Sequence, residues 1–198
     1  MRLIFPLLMA VFISGCAASY AEPGDLAGEI LADLDAGQVA SAGNRFKRSA
    51  RSTRSRETIY PILYEKARAG YEGADVQRAV VILRFLAAHY PRATAAREAL
   101  LYSLFLERAK QPAAELEVVA EINLLIREIR AVSVSPPVWV DLITAQNEVD
   151  RGRLAEGRTA LARFKANWNG NPAELVEYVE ELERYFLSHS AAGAIKEG

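Results

Sequence analysis

Few residues of this 198-residue chain have side chains suited to covalent or metal chemistry. Cys16 is the single thiol, and His89 and His189 are the two imidazoles. Neither histidine has a second ligand at the spacing of a zinc site, and no H-E-x-x-H, G-x-S-x-G or phosphate-binding glycine loop is present. Acidic residues such as Glu117 and Glu121 follow the exposed-face pattern of a helix. The sequence therefore predicts neither an enzyme nor a metal or cofactor site.

Cys16 ends a segment that is typical of exported proteins. Met1 and Arg2 give a positive start, and Leu3 to Ile13 is an unbroken apolar run. A run of about eleven residues is too short for a bilayer, which needs about twenty. It matches the central region of a signal peptide instead.

The tetrapeptide Ile13-Ser14-Gly15-Cys16 resembles the lipobox of bacterial lipoproteins, in which an apolar residue and two small residues precede an obligatory cysteine. The resemblance implies that the thiol receives a diacylglyceryl group and that cleavage makes Cys16 the mature N-terminus. Two or three acyl chains anchor a protein stably, whereas one chain is marginal. Because Ala17 follows, and not Asp, enterobacterial sorting rules favour the periplasmic face of the outer membrane over the inner membrane. The alternatives are an ordinary secretory signal with a chance cysteine, or a buried helix.

The composition predicts one folded domain behind this leader. Apolar residues make up 51% and charged residues 25% of the chain, which is a globular balance. The net charge of −1 gives the whole molecule no attraction for nucleic acid. We predict a signal peptide over 1–15, a lipidated tether over 16–24, an all-helical domain over 25–190 and a flexible tail over 191–198.

Apolar residues recur at helical spacing throughout the predicted domain. Between residues 76 and 90, side chains spaced by four, three, four and three positions lie on one helix face: Val76, Val80, Leu83, Ala87 and Tyr90. Pro91 and Pro112 are predicted to separate helices, and Pro136 and Pro172 to begin them. The pattern predicts an all-α fold of eight or nine helices whose neighbours pack antiparallel.

Residues 64–94 resemble a tetratricopeptide repeat, which is a hairpin of two helices. Ala67 and Tyr71 occupy the characteristic small and aromatic positions of the first helix. Ala79 and Leu83 occupy the small and the large apolar positions of the second helix, and Pro91 is the terminal proline. The match needs one inserted residue in the first helix. The resemblance implies antiparallel hairpins stacked as a right-handed superhelix. The alternative is a generic helical bundle with an accidental match.

Two further stretches extend this resemblance. Residues 141–172 are a weaker copy in which Gly157 replaces the packing alanine, and residues 96–132 keep the hairpin without the signature. Residues 79–102 are similar to tetratricopeptide lipoproteins, a family that includes the lipoprotein of the outer-membrane β-barrel assembly machinery and the pilotins of type IV pili. The resemblance implies a fold and a compartment.

The first helices of stacked hairpins line a concave groove. They are predicted at about 58–70, 97–109 and 138–149. Their large amphipathic side chains are Tyr60, Tyr64, Tyr102 and Trp139. Tyrosine and tryptophan are enriched in binding hot spots, so these residues form the predicted partner-binding site. The alternative is that they belong to the core.

A basic segment lies near the predicted anchor. Between residues 45 and 56 the chain contains six basic residues and no acidic one: Arg45, Lys47, Arg48, Arg51, Arg54 and Arg56. Such a segment binds anionic lipid with roughly 1 kcal/mol per residue near a surface. It would equally suit an acidic partner, or form a solvated loop and helix face.

These features together predict a membrane-anchored, periplasmic scaffold that binds other cell-envelope proteins and no nucleic acid. Two other functions remain open at this stage. One is an envelope enzyme, or its accessory helical domain, acting on peptidoglycan. The other is a membrane-surface binder that works through the basic segment.

Overall fold

The computed structural model describes residues 23–49, 53–72, 75–109, 115–170 and 175–194. These residues form helices and contain no strand, which confirms the all-α prediction. The helices of this part of the chain are α1 (Pro23–Asp35), α2 (Val39–Ser49), α3 (Thr53–Glu72), α4 (Val76–His89), α5 (Thr94–Ala109), α6 (Leu116–Val132), α7 (Trp139–Asp150), α8 (Leu154–Asn167) and α9 (Leu175–Ala194).

The helices pack mainly against their neighbours in sequence. The pairs α3/α4, α5/α6 and α7/α8 are hairpins, and contacts of α4 with α5 and of α6 with α7 join them into a row. The α7/α8 pair runs antiparallel, because Asp141 meets Arg163 whereas Ala145 meets Gly157. Helix α1 lies across α3 and α4 at the start of the row.

Two apolar clusters hold this row together. The larger contains buried residues of every helix from α1 to α7, with Phe46, Leu86 and Ile129 almost fully enclosed. The smaller joins α7, α8 and α9 around Phe164 and Phe186. A single hairpin has no partner for its apolar face, so each pair depends on the next for burial.

Three helix starts differ from the sequence predictions. Helix α3 begins at Thr53, five residues before the predicted position 58, and continues through the exposed Pro61. Helix α5 begins at Thr94 and not at 97. Helix α7 begins at Trp139 and not at the Ser135-Pro136 step, because each residue before a proline is driven out of the helical region and two prolines follow each other there.

The predicted domain boundaries need a similar correction. Helix α1 begins at Pro23, inside the predicted tether, since proline is well suited to the first helical position. Helix α9 continues to Ala194, four residues into the predicted tail. Gly152 lies in the turn between α7 and α8, and its φ of +72° is a left-handed conformation that glycine adopts without strain. The predicted helix break at Pro112 and the predicted helix start at Pro172 lie outside the described residues.

Arg97 closes the turn between α4 and α5. Pro91 has no N–H, so the helical acceptor four residues earlier, the carbonyl of Ala87, lacks its backbone partner. The Nη2 of Arg97 donates to that carbonyl at 2.9 Å. Its Nη1 donates to the carbonyl of Pro91 at 3.0 Å, and its Nε to Glu128 of α6 at 2.9 Å. One buried side chain thus caps α4 and ties three helices together.

Candidate functional site

An open cleft of about 580 Å³ lies between the row of first helices and the junction of α8 with α9. We call it the aromatic cleft. Helices α3, α5 and α7 supply one side, and the end of α8, its following loop and the start of α9 supply the other. Its described lining consists of Tyr64, Ala95, Glu98, Ala99, Tyr102, Val138, Trp139, Phe164, Asn167, Trp168, Asn169 and Leu175.

Three of the four predicted aromatic residues meet in this cleft. Tyr64, Tyr102 and Trp139 come from three successive hairpins and all line it. The rings of Tyr102 and Trp139 lie 5.7 Å apart in an edge-to-face arrangement, a favourable geometry for aromatic pairs. Tyr102 is 37% exposed, so much of its ring faces solvent. That these residues bind a partner stays a prediction.

Tyr60 lies behind the cleft and does not line it. Its ring stacks on Tyr64 with centroids 5.8 Å apart and packs against the main core. Its hydroxyl is buried close to the backbone of Ala96, but outside hydrogen-bond geometry. Burial raises the pKa of Tyr60. We therefore assign Tyr60 to the core, where its ring supports Tyr64. This is the alternative named above for the four aromatic residues.

Trp168 is a lining residue that sequence reasoning missed. Helix α8 ends at Asn167, and Trp168 is extended, with ψ of 131°. Its ring stacks on Phe164 at 5.1 Å. Both tryptophans of the chain thus lie in the cleft.

Glu98 is the one charged side chain of the described cleft lining. It precedes Tyr102 by four residues on α5, so the two share a helix face. The carboxylate is partly buried and makes no ion pair or hydrogen bond with another described residue. The other polar lining residues are Asn167, which donates to the Arg163 carbonyl at 2.9 Å, and Asn169. The cleft is therefore aromatic, weakly polar and negatively charged.

A smaller pocket of about 120 Å³ adjoins the cleft between α3 and α5 and shares Tyr64, Ala99 and Tyr102 with it. Its other lining residues are Ala67, Arg68, Leu83 and Ser103. Small side chains on both helices leave this space open. The hydroxyl of Ser103 donates to the backbone of its own helix, so the pocket presents a largely apolar surface.

The basic segment is not a uniform cationic surface. Arg45 is paired with Glu29 at 2.8 Å and with Asp33 at 3.0 Å, both on α1, so its charge is locally balanced. The hydrogen bond from Arg45 lowers the pKa of Asp33. Arg45 therefore links α1 to α2.

The structure describes the side chains of three of the remaining basic residues. Lys47 and Arg48 are exposed on α2, and Arg56 is exposed on α3 with its guanidinium 5.5 Å from the ring of Phe46. Arg51 lies outside the described residues, as does the side chain of Arg54. Contact of this segment with lipid or with an acidic partner stays a prediction.

His89 lies beneath these cations. Its ring is 4.9 Å from Phe46 and 4.4 Å from Phe85. Burial first, and then the positive charges of Lys47 and Arg56, lower the pKa of His89 below its usual 6.5. The folded protein therefore holds this imidazole neutral at a pH where the unfolded chain already binds a proton.

We expect the stability of the protein to fall as the pH drops below about 6.5, the usual histidine pKa, until the lower pKa of folded His89 is passed. The unfolded state binds more protons in that window, so acid favours unfolding. His89→Phe keeps the ring contacts and should flatten this dependence, as measured by urea denaturation between about pH 5 and pH 7.5. His189→Phe, at an exposed position on α9, is the matched control. An unchanged slope in His89→Phe would contradict the assignment.

Cys16 lies outside the described residues, so its lipidation stays a prediction. No described helix is both long and apolar enough to cross a membrane. Among the described residues, no group of three or more histidine, cysteine or acidic side chains is placed to hold a metal ion. The aromatic cleft is therefore the feature on which a functional proposal is best based.

Comparison with known proteins adds no relative: no family model, no curated protein and no solved structure matches this chain.

Proposed function

We propose that this chain is a membrane-tethered, tetratricopeptide-like scaffold that binds a segment of another cell-envelope protein in the aromatic cleft. The observation that carries the proposal is the convergence of Tyr64, Tyr102 and Trp139, from three successive hairpins, on one open cleft. Residues so far apart in sequence share a surface only because the hairpins are stacked in a row.

The chemistry of the cleft supports binding. Large aromatic side chains held on helices offer contact area at a low cost in conformational entropy, which is why they dominate binding hot spots. The helices also hold them in place before a partner arrives. The cleft's described lining offers one carboxylate, whereas general acid–base catalysis ordinarily uses two positioned groups.

The order of the hairpins supports the superhelical part of the proposal. In a tetratricopeptide-like stack, the first helices line the concave side. Here α3, α5 and α7 are the first helices of their pairs, and all three contribute to the cleft. The second helices α4 and α6 contribute no residue to its described lining.

The proposed tether is short. Helix α1 begins at Pro23, seven residues after Cys16. Seven extended residues span about 25 Å, so a lipid on Cys16 would keep the domain close to the bilayer. In this proposal the anchor is in the outer membrane and the cleft is presented to proteins of the periplasm.

Photo-crosslinking in cells tests the proposal directly. A benzophenone amino acid placed at Tyr102 should crosslink one specific envelope protein. The same group at Leu124, which is 47% exposed on α6 away from the cleft, is the matched control. A crosslink from both positions, or from neither, would remove the support for a binding cleft.

Two substitutions should weaken partner capture without unfolding the protein. Tyr102→Ala and Trp139→Ala each remove a partly exposed ring from the cleft, and we expect at least a tenfold loss of recovered partner, as for an ordinary hot spot. Leu124→Ala should leave recovery unchanged. Cys16→Ala should abolish incorporation of a labelled fatty acid into the protein. Equal labelling of Cys16→Ala and the unsubstituted protein would contradict the anchor and leave the cleft to be judged by the crosslink.

A further inference from the structure

We infer that the aromatic cleft recognises a cationic side chain of the partner segment, an arginine in the best fit, with Glu98 as its counter-ion. This inference rests on the proposed function and names the chemistry of the bound segment. It comes from the combination of one carboxylate, unpaired among the described residues, with several aromatic rings around the same open space.

The carboxylate supplies the first part of the argument. Several acidic residues of the described helices form ion pairs between helices, such as Glu121 with Arg84 at 2.6 Å and Asp150 with Arg108 at 2.5 Å. Glu98 has no such partner among the described residues, although it is half-buried and lines the same cleft as the aromatic side chains. A carboxylate in this position can form a charge-assisted hydrogen bond with a cation that enters the cleft from outside.

The rings supply the second part. Tyr64, Tyr102, Trp139 and Trp168 surround the space beside Glu98. The face of an aromatic ring attracts a cation, and tryptophan does so best. Arginine fits better than lysine because its planar guanidinium stacks on a ring while its N–H groups reach a carboxylate. Ala95 and Ala99 on α5 leave room for that group to lie against the helix.

The adjoining pocket indicates what lies next to the cation. Its volume of about 120 Å³ offers room for a small side chain. Leu83 and Ala67 give it an apolar wall. The preferred segment therefore carries an aliphatic residue close to its arginine.

Intrinsic fluorescence reports on this cleft alone, because Trp139 and Trp168 are the only tryptophans of the chain. The probe is N-acetyl-arginine amide, titrated into the full-length protein in detergent. N-acetyl-citrulline amide is the control, since it has the same shape without the charge. We expect a saturable change in emission with the arginine probe and at least fivefold weaker binding of the citrulline probe.

Glu98→Gln should weaken binding of the arginine probe about tenfold, because the ion pair between guanidinium and carboxylate is replaced by a hydrogen bond to an uncharged amide. Glu117→Gln, on the exposed face of α6, should leave binding unchanged. Far-UV circular dichroism checks that both variants stay folded. Equal binding of the two probes, no effect of Glu98→Gln, or no saturable change up to about 50 mM probe would each overturn the inference.

The crosslinking experiment separates this inference from the proposed function. If Glu98→Gln captures the partner as well as the unsubstituted protein, while Tyr102→Ala does not, the scaffold function stands and the cation is excluded. If the arginine probe binds as expected but position 102 crosslinks no protein, the cation site stands and the scaffold function fails.

Discussion

Replacing Arg97 with alanine should lower the free energy of unfolding by about 3 kcal/mol, the size expected when one partner of a buried, charged network is removed. The side chain is 7% exposed and donates to Ala87, Pro91 and Glu128. Without it, carbonyl groups at the end of α4 lose donors that the backbone cannot replace, since Pro91 has no N–H. Urea denaturation followed by circular dichroism measures the change.

Two variants sharpen this test. Arg127→Ala removes the same side chain from an exposed position on α6 and should change stability by no more than about 0.5 kcal/mol. Arg97→Lys keeps the charge but lacks the planar set of N–H donors of a guanidinium. Its free energy of unfolding should therefore recover less than half of what Arg97→Ala loses. If Arg97→Ala and Arg127→Ala had equal stabilities, the turn would not depend on this network.

The second large effect is expected at Gly157, where α8 packs closely on α7 and α9. A Cβ there would come 2.9 Å from Phe186 Cζ and 3.1 Å from the carbonyl oxygen of Ala145. Alanine normally favours a helix by about 1 kcal/mol over glycine, but the clash with backbone outweighs this. Gly157→Ala should therefore destabilise the protein by about 1 kcal/mol, and Gly157→Val by about 3 kcal/mol.

Gly28 provides a control of opposite sign. It lies inside α1, is exposed, and a Cβ built there meets nothing within 4 Å. Gly28→Ala should therefore stabilise the protein by about 0.5–1 kcal/mol through helix propensity alone. In thermal and urea denaturation, Gly28→Ala should be more stable than the unsubstituted protein and Gly157→Ala should be less stable. Stabilisation by Gly157→Ala would show that α8 can move away from α7.

The sequence predicted the helices well because the signals for a helix are local. Apolar spacing over Val76 to Tyr90 reports which residues share a face, and Pro91 marks an end whatever surrounds it. The starts of α3, α5 and α7 were predicted less well. Helix propensity allows several starting residues, and packing against neighbouring helices selects one of them.

The candidate site was predicted in part, and the errors have a common origin. Tyr64, Tyr102 and Trp139 were correctly placed on first helices, since that assignment needs only the hairpin pattern. Tyr60 occurs on the same helix as Tyr64, but its hydroxyl is buried and it does not line the cleft. Trp168 escaped notice because it follows the end of a helix and reaches the cleft through the path of a loop. Helical spacing does not show which residues a loop places against a distant helix.

The order and spacing of residues alone determined the helical character of the chain, its division into hairpins and the predicted lipid site at Cys16, because each depends on a few neighbouring residues. Only the tertiary structure decided which charges are balanced. Arg45 is paired with two acidic residues of α1, and Arg97 is enclosed in the turn between α4 and α5. Glu98 faces an open cleft. The physical reason is that electrostatic partners come from helices distant in sequence, and their positions exist only after the hairpins have packed.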